Sequence, residues 1–169
     1  MNIQMFNFWY WFWVIISIGS FIGLYFLLRK KSPKTQKIVL FCILIAGVIV
    51  HFTKFLYPPY SNDISRMLRD SWFINICGAN IALFPFFFLS KNDRAKDYMF
   101  YLGLLGGLIS VIVPLEPISK INQSAEWIDI IRFYFHHTML YAVPLLMVMF
   151  GLHKLSYKRV LWCPVYLLG

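Results

Sequence analysis

The chain has 169 residues, of which 60% are hydrophobic, 20% aromatic and only 14% charged, which excludes an ordinary soluble domain, where about 25% of residues are charged. A formal net charge of +9 would suit a nucleic-acid partner, but the lysines and arginines fall in short stretches between apolar runs, where positive charge sets membrane topology. The residues therefore describe an integral membrane protein without a nucleic-acid partner.

A helix needs about 20 mostly apolar residues to cross ~30 Å of hydrocarbon at ~1.5 Å per residue. Taken in chain order, residues 8–28, 38–57, 72–90, 98–115 and 128–153 meet that length, and a sixth apolar run, 160–169, starts like a span and stops half way. The first run is read as a retained span rather than a signal peptide, because no basic residue precedes it and Arg29, Lys30 and Lys31 stand where a small-residue cleavage site would be. Its leading aromatics, Phe8, Trp9, Tyr10, Trp11, Phe12 and Trp13, form an interfacial belt. Pro58 and Pro59 close the second run, while Pro85 and Pro144 fall inside the third and fifth and are expected to kink them.

Basic residues distribute unevenly over the connections. Arg29, Lys30, Lys31, Lys34 and Lys37, then Lys91, Arg94 and Lys96, then Lys154, Lys158 and Arg159 follow the odd-numbered runs; only Arg66, Arg69 and Lys120 follow the even ones. The positive-inside rule then places the N-terminus outside. The predicted architecture is all-α: one polytopic transmembrane helix bundle over residues 1–169, with five complete spans plus a partial sixth, multi-pass in the cell membrane.

Ionisable side chains at membrane depth cost several kcal/mol and are functional candidates by default. Here they are His51, Lys54, Arg132, His136 and His137. With the N-terminus outside, His51 falls about 9 Å beneath the outer boundary, Asn75, Cys77 and Asn80 about 5 to 12 Å, and Arg132, His136 and His137 about 6 to 14 Å, so three runs deliver polar groups at one level. Asp129, Arg132 and His136 share a helix face by their i, i+3, i+7 spacing, whereas His137 is turned about 100° from His136, so the two histidines are not expected to point the same way. Arg132 is expected to pair with Asp129, Glu116 or Glu126.

Helix–helix hydrogen bonding is the bland use of such histidines. Several at one depth favour a polar cavity. No cysteine or carboxylate stands at ligand spacing from them, so neither a metal nor another cofactor is expected. The cysteines Cys42, Cys77 and Cys163 all lie in apolar runs without a CxxC pattern, which excludes a disulfide framework. Cys77 differs from the other two in its company of Asn75, Gly78 and Asn80 and in its depth, where a histidine can take the thiol proton and a carboxamide can orient that base or hold an oxyanion. Gly103, Gly106, Gly107 and Ser110 form a small-residue surface for helix–helix association through Gly103 and Gly107, and Gly19 and Gly23 repeat the spacing.

The run Asn75, Ile76, Cys77 followed by Phe84, Pro85 and then Phe88, Leu89, Ser90, Lys91 resembles the third span of YwaF-like bacterial integral membrane proteins. Val113, Pro114, Leu115, Glu116, Pro117 and then Arg132, Phe133, Tyr134, Phe135, His136, His137 resemble later segments of that family in the same order, with His51 in the preceding span, over roughly residues 38–160. That family is similar to eukaryotic transmembrane phospholipid acyltransferases in which a cysteine and a histidine act. The resemblance implies Cys77 as nucleophile and His137 as base, with membrane lipids as partners. Its chains continue beyond this one, so the sequence is expected to end inside its sixth run.

Two functions from different classes follow, beside a helix-packing accessory role with no pocket chemistry. One is a thiol-dependent lipid acyltransferase or acyl hydrolase, with His51, Lys54, Asn75, Asn80, Arg132 and His136 binding substrate. The other is a binding or transport subunit without catalysis, in which Arg132 and Lys54 take the anion of a polar head group. Whether Cys77 and His137 approach within hydrogen-bonding reach discriminates them.

Overall fold

The computed structural model describes residues 3–56, 61–65, 76–115 and 127–162, without the side chains of residues 54, 55, 76 and 160–162. Among these residues the regular structure is helical throughout. Helix α1, Phe8–Leu28, starts where the Asn7 side chain accepts the Tyr10 amide at 2.9 Å. Helix α2, Pro33–Phe52, is capped by Ser32, which accepts the Thr35 amide at 3.2 Å, with Pro33 at the first helical position, where its missing N–H costs nothing. These local signals start α2 five residues before the apolar run does, at 33 rather than 38.

Helix α3 is Ile76–Leu89 and runs through Pro85 without a break in its assignment. The segment upstream of it, with Asn75, lies outside the described residues. Helix α4 spans Asp93–Ile112, is capped by Asn92 through the Arg94 amide at 2.9 Å, and contains a π-helical turn over Leu104–Leu108. Helix α5, Trp127–Met149, ends four residues earlier than its apolar run because Gly151, at φ +69°, turns the chain, and the Leu152 amide returns to the Met147 carbonyl at 2.8 Å. Tyr157–Trp162 is a short 3-10 helix, and residues 163–169, which hold Cys163, lie outside the described residues.

Three of these helices, α1, α2 and α4, are long and apolar enough to cross a membrane. The expected five spans are thus not all visible by length and apolarity. α3 as described is only 14 residues long. α5 has the length, 23 residues, but carries Asp129, Arg132, His136 and His137. Those groups do not face outward. The other long helices α1, α2 and α4 all pack on α5, and most of its residues are buried. Polarity on a helix wrapped by apolar neighbours is the reverse of the pattern of a water-soluble bundle, and it fits a solvent that is itself apolar.

The core runs along the α2–α3–α4–α5 contact through Leu40, Leu44, Ile81, Phe84, Met99, Leu140 and Val143. α1 joins by a second cluster in which the Trp13 and Tyr134 rings stack at 5.3 Å. Polar ties reinforce it: Tyr10 donates to the Ile112 carbonyl at 2.9 Å, Tyr141 donates to the Ser17 carbonyl at 3.1 Å, and the Ser17 and Thr138 hydroxyls bond each other. At the opposite end of α4, the fully buried Asp97 carboxylate receives His153 Nε2 at 2.6 Å and the Arg159 guanidinium, which pins the segment after α5 to the start of α4. None of these partners was legible as a pair in the sequence.

The small residues of α4 serve packing inside the chain. A Cβ at Gly107 would lie 2.7 Å from the His137 carbonyl oxygen and 2.8 Å from the Tyr141 amide, and one at Gly103 would collide with the Leu140 carbonyl oxygen. Gly19 and Gly23 on α1, expected to serve the same way, have nothing within 4 Å of such an atom.

Two outcomes follow for stability in detergent. Gly107→Ala destabilises by about 1 to 3 kcal/mol because the obstructing atoms are backbone and cannot rotate away, whereas Gly19→Ala is neutral or raises the thermal midpoint slightly through helix propensity. Thermal denaturation of the purified variants checks the contrast. In the same assay Asp97→Leu lowers the midpoint by several degrees, since it strands the Arg159 guanidinium and leaves His153 Nε2 without its acceptor, and Arg159→Gln, at a partly exposed position, lowers it less.

Candidate functional site

Four helices bring polar groups to one cavity of about 370 Å³. α2 contributes His51 near its C-terminus, α3 contributes Cys77 in its first turn, and α5 contributes Arg132, His136 and His137; Ser110, from the last turn of α4, completes the polar lining. Phe133, Ile109, Val113 and Leu115 supply apolar walls. The cavity thus combines a thiol, three imidazoles, a guanidinium and a hydroxyl with enough hydrocarbon surface to accept a chain.

The two adjacent histidines of α5 both line this cavity, contrary to the expectation that their ~100° offset would part them. The cavity wraps around that arc of the helix, and rotation about the side-chain bonds brings the rings to a stacked arrangement with centroids 4.9 Å apart and planes 14° apart. His51 approaches His136 edge-on, at 5.6 Å and 88°. All three are at least nine-tenths buried.

Their hydrogen bonds distinguish them. A carbonyl oxygen can only accept, so each ring nitrogen facing one must carry a proton. His136 places Nε2 3.1 Å from the carbonyl oxygen of Cys77, and His137 places Nδ1 2.8 Å from the carbonyl oxygen of Phe133, one turn back on its own helix. In the neutral ring the lone pair is therefore on Nδ1 of His136 and on Nε2 of His137. His137 keeps the outer nitrogen of its ring basic. His136 commits its outer nitrogen to the backbone of the cysteine.

Cys77 is half-buried, and a Cβ at Gly106 would lie 3.7 Å from its Sγ, ordinary contact distance. Glycine there keeps one side of the sulfur open. The π-helical turn that contains Gly106 is a type of local widening that recurs at functional sites.

Arg132 pairs with Asp129, Nη2 to Oδ1 at 2.8 Å, with the side chains 5% and 13% exposed. This is the first of the partners expected for it, and the i, i+3 spacing explains it. Glu116 and Glu126 lie outside the described residues, as do Asn75 and the side chain of Lys54. Asn80 is buried but turned to α4, where its Oδ1 accepts Tyr98 Oη at 3.1 Å, and it is not part of the cavity lining. A side chain three positions after Cys77 is about 60° away around the helix, which suffices to face a different neighbour.

Sequence reasoning missed Ser110 as a lining residue, having read it as part of a packing surface. It also missed the Asp97, His153 and Arg159 cluster, which is about 20 Å along α4 from Ser110 by helical rise and is separate from the cavity. The signal available for the cluster was a lone carboxylate, Asp97, at the point where an apolar run begins. Among the described residues no group of three or more His, Cys, Asp or Glu converges as a metal-ligand set.

No curated protein and no solved structure matches the chain. A family does: residues 4–169 match the sequence model described as the TMEM164 family. With three helices long and apolar enough to span a bilayer and an interior that concentrates its polar groups on α5, the chain is a membrane protein, and it belongs to the TMEM164 family.

Proposed function

We propose that the chain is a thiol-dependent lipid acyltransferase or acyl hydrolase of the cell membrane, crossing it five times with the N-terminus outside. The observation that carries this reading is the single cavity shared by Cys77, His51, His136 and His137, with His137 left in the tautomer whose outer nitrogen is basic. The resemblance to YwaF-like proteins and to the acyltransferases similar to them supports the same pair. An apolar wall beside the thiol supports a substrate with a hydrocarbon chain that enters laterally from the outer leaflet.

The reaction needs no co-reactant beyond the two lipids. His137 Nε2 takes the thiol proton as Sγ of Cys77 bonds to the carbonyl carbon of a glycerolipid ester. The ester C–O bond then breaks, and the proton passes from His137 to the departing alkoxide, which leaves as a lysolipid. In the second half, His137 takes the proton of an acceptor hydroxyl, from a lysolipid or water, as that oxygen attacks the thioester; the C–S bond breaks and the proton returns to sulfur. Two further groups that line the same cavity, the imidazole of His51 and the Ser110 hydroxyl, are available to orient substrate or to stabilise charge.

The rival reading is a binding or transport subunit in which Arg132, with Lys54, takes an anionic head group. It is less supported, because Asp129 already engages the Arg132 guanidinium.

In vesicles containing the full-length protein, transfer of a labelled acyl chain from a diacyl glycerophospholipid to a lysolipid falls at least about 100-fold in Cys77→Ala and in His137→Gln. Equal turnover in all three proteins removes the catalytic reading. For orientation, a cysteine introduced as Thr35→Cys in a Cys42→Ser, Cys77→Ser, Cys163→Ser background resists a membrane-impermeant maleimide in intact cells and reacts once the membrane is opened. Labelling from outside overturns the N-out reading.

A further inference from the structure

We infer that His136 is a positioning residue for Cys77: it carries no proton in the reaction but sets where the thiol sits, through a hydrogen bond to the cysteine's own backbone. The inference rests on the reading of Cys77 as nucleophile and goes beyond it by dividing labour between two adjacent histidines.

The carbonyl of Cys77, in the first turn of α3, also faces the amide of Ile81 one turn on, so its second lone pair is available to a group outside the helix. His136 Nε2 takes it at 3.1 Å, across 59 residues of sequence. This bond ties α5 to α3 at the residue that bears the thiol. One turn later Tyr98 Oη donates to Asn80 Oδ1 at 3.1 Å and ties the same helix to α4. A helix held by two such bonds about one turn apart, on different neighbours, has its rotation fixed, and rotation decides whether Sγ enters the cavity or faces a neighbouring helix.

The same bond makes His136 the poorer base. Its outer nitrogen is protonated by the geometry, and the remaining lone pair is on Nδ1, the nitrogen nearer its own backbone. His137 has the opposite arrangement. His51 braces His136 from the side, ring edge to ring, and keeps its plane aimed at α3.

Substitution separates position from proton transfer. Glutamine carries an amide N–H the same number of bonds from Cβ as imidazole Nε2, whereas asparagine reproduces only Nδ1. His136→Gln therefore keeps kcat for acyl exchange within about 3-fold of wild type, while His136→Asn lowers kcat by about 10- to 100-fold with KM little changed, the scale on which misplacement of a reacting group acts. The second readout does not depend on acyl transfer. In a Cys42→Ser, Cys163→Ser background, the rate of Cys77 alkylation by N-ethylmaleimide is followed against pH. Among the described residues, the titratable and charged groups that line the cavity with the thiol are His51 from α2 and Arg132, His136 and His137 from α5, with Asp129 behind Arg132; the polar group from α4 is Ser110, which does not titrate. The histidine-dependent inflection of the wild-type profile persists in both His136 variants and disappears in His137→Gln.

An inflection lost in His136→Gln and kept in His137→Gln makes His136 the base and overturns the inference. So does an asparagine variant with the wild-type kcat. If the wild-type protein exchanges no acyl chains, the acyltransferase reading fails on its own, and the alkylation profile still decides which histidine governs the thiol.

Discussion

The close approach of α4 to α5 is the constraint on which the remainder of the structure depends. Gly103 and Gly107 let the α4 backbone lie against the carbonyls of Leu140 and His137, nearer than any residue with a side chain would allow. In an apolar solvent, burial of hydrocarbon offers little drive for two helices to associate, and close van der Waals packing with polar ties takes its place. That packing surrounds α5. A helix with an acid, an arginine and two histidines can occupy the centre of the bundle only if neighbours cover it.

Once α5 is central, its polar groups must find partners inside the protein, and each finds a different kind. Arg132 takes a carboxylate on its own helix, His137 a carbonyl on its own helix, and His136 a carbonyl on α3. Two adjacent residues of the same type thereby acquire opposite tautomers. This difference arises from the helices they face and from nothing in their chemistry. One ring keeps its lone pair on the outer nitrogen, and the other has its outer nitrogen bonded to the backbone of α3.

The two ends of α4 carry separate polar systems. One end closes the cavity with Ser110; the other buries Asp97 against His153 and Arg159. The second system joins a carboxylate of α4 to an imidazole and a guanidinium from beyond α5, and it anchors the segment that follows that helix. It requires the reversal at Gly151, where a positive φ that glycine tolerates returns the chain toward α4. The cavity and the Asp97 cluster thus lie at opposite ends of one helix, and a substitution at one end need not disturb the other.

The sequence by itself determined that the protein belongs in a membrane, which of its runs are helices, and which few side chains are expensive enough there to matter. Those conclusions depend on composition, hydropathy and capping residues, which act locally. Caps at Ser32 and Asn92 shifted two helix starts outward from their apolar runs, and such signals were present to be read. Depth was legible too, because helical rise is uniform: His51, Cys77 and the α5 histidines were placed at one level before any contact was known. Rotation about each helix axis was not legible, since apolar lipid and apolar protein interior impose the same residue preference on either face. Only the tertiary structure decided that Asn80 faces Tyr98 rather than the cavity, that His136 and His137 share one cavity despite their offset, and that Asp97 meets His153. Each of those outcomes depends on which neighbour a helix face meets, and that is fixed by packing among helices distant in the chain.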